Sequence, residues 1–182
     1  MMYELPTSLE VGGIDHPIRS DFRAALDVCA ALTDPEFSNQ EKAVALLTIL
    51  YESPEEISDI EGALKKGAWF IDCGNNAPQK KRPIRLMDWE QDFPVIVGAV
   101  NRVAGCEVRA LEYLHWWTFC GYYMELGDCA FAQIVSIRNK KAKGKKLEKW
   151  EREFYRENRE KIDFRPGVTA SDMEFIKQMT GK

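Results

Sequence analysis

The amino-acid sequence predicts a mainly α protein: a single helical domain of about seven to eight helices with a small N-terminal β-hairpin. Three observations lead there. Apolar residues recur at helical spacing in successive segments that are separated by capping residues, Gly or Pro. Only the opening segment alternates apolar and polar residues around a Gly-Gly pair. The chain has 182 residues, 45% of them hydrophobic and 30% charged, which suits one ordinary globular domain with ample material for a core.

The opening LPTSLEVGGIDHPI reads as two short strands joined at Gly12-Gly13, which supply the positive backbone angles of a tight hairpin turn. Pro17 keeps the second strand at an edge. Such a ribbon is barely stable alone, so Leu9, Val11, Ile14 and Ile18 are expected to rest their apolar face on a helix. From Ser20, a candidate cap, Phe22, Ala25, Leu26 and Cys29 form one helical stripe that should stop near Asp34-Pro35. Ser38 and Glu41 have the spacing of a capping box ahead of a stripe through Val44, Leu47, Leu50 and Tyr51. Ser53-Pro54-Glu55-Glu56 repeats the start signal, predicting a third helix over 54–71, with Lys65 and Lys66 suited to the negative end of its dipole.

Gly74 to Pro78 and the following QKKRP have the composition of an exposed loop within the domain. Asp88 is the expected cap of a fourth helix through Val103, with Pro94 bending it or moving its start to near Phe93, and Gly105 ending it. The fifth helix, over 108–126, is apolar or aromatic almost all round and is expected to be the most buried element, with the others packed about it. Asp128 is the expected cap of a sixth helix carrying Phe131, Ile134, Val135 and Ile137. A seventh is expected over 144–162, with Leu147, Trp150, Phe154 and Tyr155 among dense charges. A last short helix is expected from Ser171, where Glu174 completes another capping box.

The net charge of -4 conceals a segregation. Residues 138–161 hold eleven Lys/Arg against five Asp/Glu, whereas residues 1–137 hold eleven against twenty-one. The expected organisation is an acidic helical core with the hairpin over 1–137 and a basic helical extension over 138–182, within one domain. A basic segment of this kind serves nucleic acid or an acidic partner, or neutralises the acidic body of its own or a neighbouring chain; the neutralising role is favoured.

Cys29, Cys73, Cys106, Cys120 and Cys129 form no C-x-x-C pair and have no closely spaced histidines, so neither a disulfide framework nor a zinc site is indicated. The longest uncharged aromatic stretch, Tyr113 to Met124, is shorter than the roughly 20 residues of a membrane span. Reduced thiols in a cytoplasm, and no membrane partner, are expected. Asp88, Glu90 and Asp92 lie two apart and so point to different sides of a helix, which favours capping over metal binding. His115 and Cys120 are five apart, off a shared face, and His115 reads as structural. No glycine-rich phosphate loop or serine elbow is present, so the chain is expected to be no enzyme, with no catalytic residue, metal or cofactor. The candidate partner-binding residues are Trp116, Trp117 and Trp150, with at least one of the adjacent tryptophans expected inward, and Lys140, Lys141, Lys143, Lys145 and Lys146 around the flexible Gly144.

Four blocks carry a resemblance: LPTSLEVGGIDHPIRSDFR, LMDWEQDF, YLHWWTF, and the run FAQIVSIRNKKAKGKKLEKWEREFYRENR. In this order they resemble the bacteriophage gene-product-fifteen family, small proteins from the tail modules of long-tailed phages and prophages, over roughly Leu5 to Lys161. The resemblance implies a non-enzymatic tail assembly factor of the host bacterial cytoplasm that chaperones the tape-measure protein, or binds other tail proteins. Self-association is a separate expectation. The alternatives are a nucleic-acid-binding module using residues 138–161 and a structural tail component.

Overall fold

A computed structural model describes residues 4–75 and 84–165. The expected loop beyond Asn75 and the expected last helix from Ser171 lie outside the described residues. The hairpin forms as read. Strands β1 (Ser8–Val11) and β2 (Ile14–Pro17) are antiparallel, with Val11 opposite Ile14 and Leu9 opposite His16. Gly12 and Gly13 take φ of 61° and 83°, the left-handed pair that a two-residue turn matched to strand twist requires. Leu9, Val11 and Ile18 are buried, but Ile14 is 59% exposed, a correction to the expected apolar face. The supporting helix packs on β1, and Ile14 lies on β2 beside the turn.

Eight α-helices are present among the described residues: α1 (Phe22–Thr33), α2 (Asn39–Leu50), α3 (Ile60–Ile71), α4 (Trp89–Ala104), α5 (Trp116–Met124), α6 (Ala130–Ala142), α7 (Lys149–Glu157) and α8 (Arg159–Ile162). Where their starts differ from expectation, a neighbouring residue has the better cap geometry. Asp21, not Ser20, caps α1 by accepting from Arg23 N at 2.9 Å, and its other oxygen accepts from Leu114 N at 2.9 Å. Ser20 instead pairs its hydroxyl with that of Tyr113 at 2.8 Å. The Ser38–Glu41 capping box on α2 is present in both directions. On α2 it is Leu46 and Leu50 that turn inward, while Val44 is 58% exposed.

The predicted third helix is divided. Pro54–Glu56 makes one 3-10 turn, Ile57 is buried, and α3 begins only after Asp59, which accepts from Gly62 N at 2.9 Å. Helix α4 does start at Trp89 despite Pro94. Asp88 accepts from Gln91 N at 2.7 Å while Asp92 accepts from Asp88 N at 2.9 Å, and these reciprocal bonds fix the first turn. Pro94 removes only the bond to the first-turn Glu90 carbonyl, so the start does not move to Phe93. Gly105 ends the helix at φ 71°.

The predicted fifth helix is shortened to α5, preceded by a 3-10 turn over Val108–Ala110. Between them the backbone serves the approach to α1: Phe22 N donates to Leu114 O at 2.9 Å and Trp116 N to Ser20 O at 2.8 Å. A helix over 108–126 would forfeit these bonds. Met124 and Tyr113 are exposed, so this segment is not the centre of the molecule. That place belongs to α1, which packs on α2, α4 and α5. Cys129, whose Sγ accepts from Ala132 N at 3.4 Å, caps α6 in place of Asp128. The predicted seventh helix starts later, at Lys149, after the Gly144 turn at φ 64°, and breaks at Asn158, whose Nδ2 donates to Phe154 O at 3.1 Å.

The apolar interior has two parts. The larger holds Phe22, Val28, Leu50, Tyr51, Phe70, Val100 and Phe119 among others, and the smaller holds Ile134, Ile137 and Ile162 with Val95, Leu147, Phe154 and Tyr155 against them. Val95 of α4 touches both. Among the described residues, no helix is long and apolar enough to cross a membrane.

Candidate partner-binding surface

The last turn of a helix leaves carbonyls short of donors, and in α3 two adjacent indoles donate to them, Phe70 O also accepting from Cys73 N at 3.1 Å. Trp116 Nε1 donates to Ile71 O at 2.9 Å and Trp117 Nε1 to Phe70 O at 2.8 Å. Beyond the helix end, a Cβ on Gly74 would lie 3.1 Å from the Trp117 ring, so the chain there passes directly under the indole. Trp116 is only 2% exposed, which removes it from any contact surface, and Trp117 is half-buried. His115 caps α5: its Nδ1 accepts from Trp117 N at 3.0 Å, leaving Nε2 to donate to Pro6 O at 3.0 Å. The imidazole is thus held in one tautomer by structural bonds.

The basic segment is anchored through Arg138, a residue of α6 buried beside Asp92 of α4. Its Nη1 and Nη2 donate to Asp92 Oδ2 and Oδ1 at 2.6 and 2.9 Å. The remaining donors reach Leu86 O at 3.1 Å, Lys161 O at 2.7 Å and, from Nε, Ile162 O at 2.7 Å. All five guanidinium hydrogens have acceptors. Phe164 covers the group, its ring centroid 4.2 Å from Arg138 Cζ. Beside it, Gln91 donates to Asp163 O at 2.9 Å and accepts from Arg165 N at 3.0 Å. Asp88, Glu90 and Asp92 therefore diverge into a cap, an exposed carboxylate and a buried ion pair. Sequence reasoning missed this pair. Its signal was present in part: Arg138 falls on the stripe of Phe131, Ile134 and Ile137, where a charge needs a buried partner.

The five candidate lysines separate into two sets. Lys140 Nζ lies 2.6 Å from the buried Glu151 and 3.7 Å from Glu148, and the Lys140 hydrogen bond holds the Glu151 carboxyl below its usual range. Lys141 pairs with Asp163 and with Tyr155 Oη, the latter at 2.7 Å. Burial acts to raise the Asp163 pKa, but hydrogen bonds from Lys141, Tyr155 and Arg159 outweigh it and hold the group at about 2. Lys143, Lys145 and Lys146 are exposed and form no ion pair among the described residues. With Lys149 and the 49% exposed Trp150 they make up the outward-facing part of the basic segment.

Of the five thiols, Cys29 and Cys120 are buried, Cys73 and Cys129 are half-buried, and Cys106 is exposed. Burial pushes Cys29 up to about 12. A hydrogen bond with Cys120 draws Cys73 below the usual thiol range and, with burial, raises Cys120. Among the described residues, no group of three or more His, Cys, Asp or Glu side chains is arranged to hold a metal ion. Among the described residues the buried polar side chains have hydrogen-bond partners, and the basic segment leaves a lysine-rich turn with an indole beside it exposed. Chemically, such a surface offers positive charge and one large apolar contact.

The sequence matches, over residues 1–164, the model of a family described as Bacteriophage Gp15 protein. No curated protein and no solved structure matches the chain.

Proposed function

The chain belongs to the bacteriophage Gp15 protein family, and from that premise we propose that it is a non-enzymatic tail assembly factor that binds the tape-measure protein while the tail tube is built. The observation that carries this reading is the division of polar groups. Asp92, Arg138, Glu151 and His115 are engaged in holding the fold, whereas Lys143, Lys145, Lys146, Lys149 and Trp150 face outward. A partner with apolar helical stripes and acidic residues would meet Trp150 as an anchor and the lysines as a rim. Trp117 of α5, half-buried against the end of α3, adds a second, partly exposed indole.

Coexpression of the chain with its tape-measure protein, followed by pull-down, tests the proposal. A complex and a gain in tape-measure solubility are expected, both reduced by Trp150→Ala. Neither appearing would remove the reading. Lys143, Lys145 and Lys146, exposed and without an ion pair among the described residues, also favour a second reading, sequence-independent nucleic-acid binding, which predicts retardation of DNA or RNA that weakens steeply with salt. No retardation at low salt would exclude it.

A further inference from the structure

An open apolar groove of about 610 Å³ is lined by Phe37, Ala43, Val44, Leu47 and Ile60. Phe37, Val44 and Ile60 are 40%, 58% and 47% exposed, so three large apolar side chains share one surface depression. The segment that supplies its lining is strongly acidic: residues 34–61 carry eight Asp/Glu and one Lys, and Glu41 itself lines the groove. An occupant must therefore present an apolar anchor surrounded by positive charge. The chain itself carries such a surface. Trp150 is exposed, and residues 143–156 hold six Lys/Arg against three Asp/Glu, two of which, Glu148 and Glu151, already face Lys140. The groove is built from Phe37, α2 and the first residue of α3, whereas α7 packs on α8 and Trp150 is not among the lining residues, so one copy's Trp150 does not fill its own groove.

We propose that the chain self-associates head to tail, the Trp150 and lysine surface of one copy seating in the Phe37–Val44–Ile60 groove of the next. The two surfaces differ, so the contact is heterologous and extends into a ring or an open chain. In an open chain one terminal Trp150 stays free for another polypeptide. Self-association of this kind needs no tape-measure protein and is measured without it.

Sedimentation of the full chain over a concentration series tests it, with circular dichroism confirming that each variant is folded. Concentration-dependent association is expected at about 50 mM salt, weakened about tenfold or more at about 500 mM. Val44→Glu and Trp150→Ala each alter an exposed side chain, and each alone should weaken association about 30-fold, as loss of an interface anchor does. An equimolar mixture of the two variants should restore a one-to-one dimer, because it reunites one intact groove with one intact indole. Three results would overturn the proposal: a chain that stays monomeric at low salt, as when residues 166–182 or an unrelated partner occupy the groove; association that survives either variant; or a mixture that stays monomeric, as a symmetric interface would give.

Discussion

Arg138 and Asp92 form a buried, bidentate ion pair in which every guanidinium hydrogen is used, and removing one partner leaves the other charged and unpaired in the interior. Arg138→Met should cost about 3–5 kcal/mol in urea denaturation. The Asp92→Leu/Arg138→Met double variant should cost clearly less than the sum of the single changes, because the second substitution removes the orphaned charge. A sum that is simply additive would show that the two groups do not act as a pair. Asp163 gives a pH-dependent counterpart. Its pKa of about 2 lies below the ordinary 3.8, so its stabilisation is complete above about pH 4 and fades as pH falls toward 2. With the side chain 37% exposed, solvent screening limits the effect to on the order of 1 kcal/mol. Asp163→Asn should therefore be less stable than the parent at about pH 7, and the difference should shrink toward about pH 2. Equal stabilities at neutral pH would contradict this. Capping residues such as Ser38, Glu41 and Asp88 were legible because their partners lie three residues away. Arg138 was not, because its partner lies on another helix, 46 residues before it.

At the scale of elements, the helices exist where apolar spacing placed them, while their lengths follow bonds that spacing does not reveal. The segment before α5 resembles helix in composition, yet its backbone is paired with Ser20 and Phe22, near the start of α1. The start signal at Pro54 produces only a 3-10 turn, because Asp59 has the working cap of α3. Two helical glycines separate propensity from packing. Gly98 in α4 is exposed and a Cβ there would meet nothing within 4 Å, so Gly98→Ala should stabilise by about 0.5–1 kcal/mol. Gly67 in α3 is buried against α2, and a Cβ there would lie 2.6 Å from Leu46 Cδ2 and 3.1 Å from Leu50 Cδ2. The same propensity gain is then opposed by overpacking of about 1–3 kcal/mol. Gly67→Ala should be net destabilising, by about 1 kcal/mol, and a thermal midpoint above the parent's would show that α2 and α3 separate easily.

Across the whole molecule, the four sequence blocks that carry the family resemblance contain the residues joining distant parts of the chain. Asp21 binds the start of α1 to Leu114, the two tryptophans close the end of α3, and Asp92 meets Arg138. The resemblance was therefore carried by anchors of the fold, which is why it identified the family more readily than it located a binding surface. The second apolar cluster is small, and beside the Gln91 bonds to Asp163 O and Arg165 N three features tie it to the larger one: Val95, the ion pair, and the carbonyls of Lys161 and Ile162 that Arg138 holds. Arg138→Met removes two of these three. Helices α7 and α8 should then open as a unit at a free energy below that of global unfolding. Hydrogen exchange read by mass spectrometry should show faster exchange over 149–163, with α1 and α2 retaining their relative protection. Uniformly faster exchange across the chain would instead mean that the two clusters unfold together and that the ion pair stabilises the whole fold.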